Sequence, residues 1–400
     1  MSSQNKNFTR RRFLQIAGFS IAGISLAGSL AAFGKDKNRE MLLYVGTYTS
    51  GKSEGIYIYK FDSETGELKP HKTVKNVSNP SYLTIDNKRR FLYAVNEETE
   101  FQGKKSGAVS SFAIDQASGD LRFINQQPSL GGAPCYVSAS ENGKFILAAN
   151  YVGGNVCVLP IQTNGQLGNP VDLAQHAGSS VNLERQESAH AHSIVLDKKN
   201  KFAFSCDLGS DKIYIYLFDR KIGKLTPNPR QTFYQTKAGA GPRHIVLSEN
   251  QKNAFVINEL DSTISALSFD KRQGTLREIQ TLSTLPADYK NSNNTGADIH
   301  ISPSGKFLYG SNRGHDSIVV YRIDEKTGKL EYVENVLVEG KKPRNFAIDP
   351  TEKFLLVANQ DSDTITTFKI DAETGKLRFT EQKTSVPVPV CLKLISSFGI

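Results

Sequence analysis

From about Leu42 to the C-terminus, short apolar runs and polar turns follow one another in a repeating order. The stretch Pro343-Arg344-Asn345-Phe346-Ala347-Ile348-Asp349 reads as a strand opened by proline, and a short turn containing Lys353 follows. Phe354-Leu355-Leu356-Val357-Ala358-Asn359 is a second apolar strand closing on asparagine, and Ile365 to Asp371 alternates with a period of two. Thr374-Gly375 supplies the positive-φ position of a hairpin. The more polar stretch after Leu377 suits an outer strand that faces water. The Gly-x-Leu turn recurs seven times, at Gly66, Gly119, Gly165, Gly223, Gly274, Gly328 and Gly375, with intervals of 53, 46, 58, 51, 54 and 47 residues. A period near 50 built from four short strands predicts an all-β, seven-bladed β-propeller over residues 42–397.

The two ends of that region complement each other. The first repeat opens at a second strand, Leu42 to Thr47, with no first strand ahead of it. The leftover Val388-Pro389-Val390-Cys391-Leu392-Lys393-Leu394-Ile395 looks like a first strand. It is expected to complete the first blade from inside and close the ring without a free sheet edge. Residues 1–34 stand apart: Thr9-Arg10-Arg11-Arg12-Phe13-Leu14-Gln15 resembles a twin-arginine export motif, and the glycine-diluted apolar stretch Ile16 to Phe33 follows. This segment predicts an exported, periplasmic protein, with cleavage near Ser29-Leu30-Ala31 and no stable membrane insertion afterwards; the alternative is an uncleaved anchor.

Composition narrows the partners. The formal charge is +9, but Lys6, Arg10, Arg11 and Arg12 fall in the first 34 residues, which hold no acid. The remaining basic residues are scattered, so no nucleic-acid surface is expected. Cys135, Cys157, Cys206 and Cys391 sit singly in apolar strands with no CxxC pair, which favours small buried hydrophobes over disulfides or metal ligands. A monomer without metal or cofactor is expected.

Propeller topology puts the start of each first strand and the end of each second strand on one face of the disc. The starts supply His190, His192, Arg243, His244, His300 and Arg344. The ends supply Asn96-Glu97, Asn150-Tyr151, Asp207, Asn258-Glu259, Asn312-Arg313 and Asn359. The other face, with turns such as Asn87-Lys88-Arg89 and Lys198-Lys199-Asn200, is generic lysine-rich surface. Asparagine at a strand end is a common turn residue, and in most blades its role is read as structural. Arg243, His244, Glu259 and Arg313 around one mouth are more specific. Arginines bind anions bidentately, histidine or glutamate moves protons, and Arg or His donors stabilise an oxyanion. Such a set suits an anionic carbonyl or lactone substrate.

The stretches Asn182 to Ser193, Gly241-Pro242-Arg243-His244, Asn258-Glu259-Leu260 and Ser311-Asn312-Arg313-Gly314 resemble the lactonase family of seven-bladed propellers, which contains bacterial 6-phosphogluconolactonase and fungal carboxymuconate cyclase. By motif, the family's histidine, two arginines and glutamate fall on His192 (or His190), Arg243, Glu259 and Arg313. His190, His244, Arg344 and Glu97 are the expected substrate-binding neighbours. The resemblance implies a metal-free 6-phosphogluconolactonase-type hydrolase, or a cyclase running in the opposite sense. A phosphorylated cytoplasmic metabolite is not an obvious periplasmic substrate, so lactone chemistry carries over further than the phosphate. A non-catalytic propeller that binds a ligand or a protein is the remaining reading.

Overall fold

The structure is a computed structural model that describes residues 40–290 and 293–396. The expected export segment lies outside the described residues. Seven antiparallel sheets are arranged as blades, six of four strands and one with a fifth strand, Phe233–Gln235, added in the fourth blade. No α-helix occurs among the described residues, only one 3-10 turn at Gln360–Ser362. The inner strands of the second to seventh blades are Leu83–Ile85, Pro134–Ala139, Ala191–Leu196, Pro242–Leu247, Thr295–Ile301 and Pro343–Ile348. In the first blade that place is taken by Pro389–Ser396, which pairs with Glu40–Thr47 from Met41↔Ser396 to Thr47↔Pro389. The C-terminal strand therefore closes the ring as the two chain ends suggested.

The second strands explain their apolar character. Phe91–Asn96, Phe145–Asn150, Phe202–Asp207, Asn253–Asn258 and Phe354–Asn359 are buried at every position, because a blade's two faces are both covered by neighbouring blades. Outer strands such as Leu68–Lys75 are largely exposed, with only Leu68 buried. The seven Gly-x-Leu glycines all take φ between 72° and 84°. They also let the hairpin seat against the preceding blade: a Cβ on Gly165 would lie 2.2 Å from the Phe91 ring, and one on Gly375 would lie 2.4 Å from Phe307.

One irregularity positions the site. The inner strand carries a β-bulge or register shift within its first residues in six blades. In five of these the register skips a single residue: Val390, Cys135, His192, Arg243 or Arg344. In the sixth blade Ala297 and Asp298 are the skipped pair. A bulge takes a residue out of the ladder and re-aims its side chain. One sequence expectation is corrected here. His300 does not open the inner strand of the sixth blade; that strand starts at Thr295, and His300 pairs with Tyr309 near its far end. The blade has no proline at the strand start to mark it.

Candidate active site

The mouth face holds a cavity of about 490 Å³ lined by Tyr48, Glu97, Cys135, Tyr151, Arg185, His192, Glu259, Thr295, Arg313, Lys342 and Arg344. Two structural positions supply most of it. Cys135, His192 and Arg344 are bulge residues. Tyr48, Glu97, Tyr151 and Glu259 each directly follow a second strand, and Arg313 is the last residue of one. The strand-ending asparagines stand behind them as brackets: Asn150 Nδ2 donates to Ser129 O at 2.9 Å and Asn312 Nδ2 to Thr284 O at 2.8 Å.

Glu259 is the electrostatic centre. Arg185 Nη2 lies 2.7 Å from its Oε1, while Arg243 Nε and Arg313 Nη2 each lie 2.9 Å from its Oε2. Burial alone would raise this carboxyl, but Arg313, Arg243 and Arg185 together hold it far below the usual carboxylate range. Arg313 also donates to Gly296 O at 3.0 Å, and burial brings its guanidinium down to about 10, still protonated at neutral pH. Arg243 does not reach the cavity wall. It is buried behind Glu259, donating to Ala297 O at 2.5 Å and lying 3.2 Å from His244 Nε2.

The histidines divide by position. His192 is on the wall, with Nδ1 3.7 Å from the Cys135 thiol. Its Nε2 has no hydrogen bond among the described residues. Burial first, then the charges of Arg243, His244 and Arg344, press its pKa well below 6.5, so the ring is neutral. His190 stands outside the wall: its ring stacks on Tyr151 at 4.5 Å, and both nitrogens are taken, by Tyr151 O and Glu187 at 3.0 Å each. His244 lies beneath, 2.8 Å from Asp298, and burial with Arg243 lowers it to about 3. Asp298 also takes His300 at 2.8 Å and the side chain of Asn345. The stacked Tyr82–Tyr136 pair, 4.3 Å apart, packs against His244.

Residues 42–394 match the family described as lactonase, 7-bladed beta-propeller. The chain belongs to that lactonase family. It is 40% identical to the 6-phosphogluconolactonase of Bacillus subtilis, covering 88% of this chain and 97% of the relative. The 6-phosphogluconolactonase of Formosa agariphila is 35% identical over 76% of this chain and 86% of its own. Among solved structures, the periplasmic gluconolactonase of Pseudomonas aeruginosa superposes with a TM-score of 0.84 at 35% identity, covering 90% of this chain and 99% of that one.

Of the eight site residues expected from sequence, the cavity collects His192, Glu259, Arg313, Arg344 and Glu97 on its wall. Arg243, His244 and His190 form the layer behind. Sequence reading placed Tyr151 on the mouth face without a role, and passed over Tyr48, Cys135, Arg185, Thr295 and Lys342. Two of these had a signal: Cys135 follows Pro134 as Arg243 follows Pro242, and Tyr48 comes directly after its strand as Glu97 does, with Thr47 in place of asparagine. Arg185 sits in a loop between Gln175 and Ala191 that accompanies the longest interval, 58 residues, between turn glycines.

Proposed function

We propose that this chain hydrolyses a sugar lactone of the 6-phosphogluconolactone type, with the mouth cavity as its active site. The observation that carries the reading is the cluster of Arg185, Arg243 and Arg313 fixed by the one carboxylate of Glu259 beside the neutral ring of His192, in a chain of the lactonase family. Lactone opening places negative charge first on the carbonyl oxygen and then on the ring oxygen. Guanidinium donors fixed in advance stabilise such charge without reorganising. Arg313 and Arg185 are the donors that meet the carbonyl oxygen.

Water attacks the lactone carbonyl carbon and gives its proton to His192 Nε2. The carbon–ring-oxygen bond then breaks, and the same proton passes to the departing oxygen, leaving a hydroxy acid. Glu259, held ionised by three arginines, positions them and takes no proton. An anionic substrate offsets the part of the effect that comes from Arg243 and Arg344, which act after burial to weaken His192 as a base. The protein acts in the periplasm, a location supported by the Thr9–Gln15 motif and by the periplasmic neighbour from P. aeruginosa.

The test is hydrolysis of glucono-δ-lactone and its 6-phosphate by purified protein, followed as acid release. Turnover of at least one, well above the spontaneous rate, is expected. No acceleration of either would overturn the reading.

A further inference from the structure

The cavity has more positive charge than its reaction centre uses. Arg185 and Arg313 end on Glu259, as does Arg243 behind them. Arg344 does not. It makes no ion pair or hydrogen bond among the described residues, and its guanidinium carbon lies 5.3 Å over the ring of Tyr48. The cavity's other carboxylate, Glu97, is engaged by hydroxyls instead: Tyr48 Oη at 2.9 and 3.0 Å, and Ser81. Burial works against its charge, and Tyr48, Glu97 and Glu259 offset this only from beyond hydrogen-bond reach, so its N–H groups are left for water or an anion to complete.

Lys342 stands two residues away on the same wall. Its ion pair is a 3.4 Å contact with Asp361 in which both side chains are more than 40% exposed, so it is worth little and yields easily. Its backbone is left-handed, with φ of 59°, and is pinned on both sides: its N–H donates to Asp316 Oδ1 at 2.8 Å and its carbonyl accepts from Gln360 N at 3.1 Å. A non-glycine residue fixed in that conformation places a side chain where regular backbone would not.

We propose that Arg344 and Lys342, with Tyr48 as their wall, form a separate subsite for an anionic substituent on the lactone, distinct from the Arg185–Arg313 end that meets the carbonyl. The inference rests on the lactonase reading for which end reacts. The fork of Arg344 matches a phosphate or a carboxylate bidentately, and the lysine adds a mobile point charge. Substrate selection then belongs to the seventh blade, and activation to the fourth, fifth and sixth.

The test compares glucono-δ-lactone, its 6-phosphate and glucaro-δ-lactone, which carries a carboxylate at the same carbon, on wild type, Arg344→Gln, Arg344→Lys and Lys342→Gln. Arg344→Gln should cut kcat/KM for the phosphorylated lactone about 100-fold, mainly through KM, while the loss on the neutral lactone is at least tenfold smaller. Lys342→Gln should give a weaker effect of the same kind, and Arg344→Lys should recover part of the loss. A matching loss on the glucaro-lactone would assign the site to anions in general, and no such loss would assign it to phosphate. Equal losses on charged and neutral lactones would overturn the subsite. Should wild type hydrolyse no lactone, the lactonase reading fails by itself. Calorimetric binding of 6-phosphogluconate against gluconate then decides the subsite: a preference for the phosphate that Arg344→Gln abolishes supports it, and an unchanged affinity contradicts it.

Discussion

The two faces of the disc are made by the same strands and could hardly differ more in what they display. On the face away from the mouth, six blades solve the inner turn in one way. The residue after the inner strand accepts a hydrogen bond from the first N–H of the second strand: Asp86 from Phe91, Ser140 from Phe145, Asp197 from Phe202, Ser248 from Asn253, Ser302 from Phe307 and Asp349 from Phe354, at 2.6 to 3.2 Å. At the mouth the backbone repeats as faithfully, with its bulges and bracketing asparagines, but the bulge residue is cysteine, histidine, arginine or valine according to the blade. Repetition serves the ring, and departure from repetition at a fixed backbone position marks the site.

The harshest way to break this contrast is to open the ring, which both faces share. Deleting residues from Pro389 onward removes the inner strand of the first blade, including the Leu392 N–H bond to Asn345 Oδ1 at 2.7 Å. Loss of a cooperative melting transition, or aggregation on light scattering, is expected. A truncated chain that melts like the full one would refute closure.

Next is Glu259→Gln, which leaves three guanidinium groups around an uncharged amide. Removing one partner from a buried ionic cluster typically costs about 3–5 kcal/mol. Denaturant unfolding should show a loss of that order together with a large fall in kcat/KM. A variant of wild-type stability would mean that the arginines do not depend on Glu259.

Acid sharpens the contrast further, because buried neutral histidines lie only on the mouth side. His192 and His244 have folded pKa values below the ordinary 6.5, so the unfolded chain binds more protons, and stability falls as pH drops below about 6.5. At about 1.4 kcal/mol per pK unit, each contributes up to about 2 kcal/mol of loss by pH 5. Calorimetry should show Tm falling from pH 7 to pH 5, with His244→Asn flattening the slope. A Tm constant over that range would show that these rings are not held neutral.

The smallest effect belongs to the repetitive face. Ser302→Ala removes an acceptor 3.2 Å from Phe307 N and should cost about 1 kcal/mol, seen as a small fall in Tm. A loss as large as that of Glu259→Gln would erase the distinction between the faces.

Much of this was legible in the residues because propeller backbone is periodic. Seven glycine turns fixed the blade count, and the strandless start at Leu42 with the spare strand after Val388 fixed the closure. Topology alone then brought His192, Glu259, Arg313, Arg344 and Glu97 to one mouth. What stayed hidden depends on how far a side chain reaches and where a ladder slips. His190 and His192 were both open candidates until the bulge aimed His192 at the cavity and the stack on Tyr151 took His190 out of it. Arg185 comes from the longest of the connections between blades, so no periodicity could place it against Glu259. His300 was misplaced because its blade begins without the proline that marks four others.

The most direct test of the account sets one residue of each face against the other. Arg313→Ala and Ser302→Ala are assayed in parallel with wild type on the lactone that is turned over fastest, with Tm recorded for all three. Loss of an oxyanion donor predicts that Arg313→Ala lowers kcat/KM by about two orders of magnitude or more in a folded protein, while Ser302→Ala keeps its rate. A folded Arg313→Ala variant that hydrolyses the lactone as fast as wild type would contradict the assignment of the mouth cavity as the catalytic site.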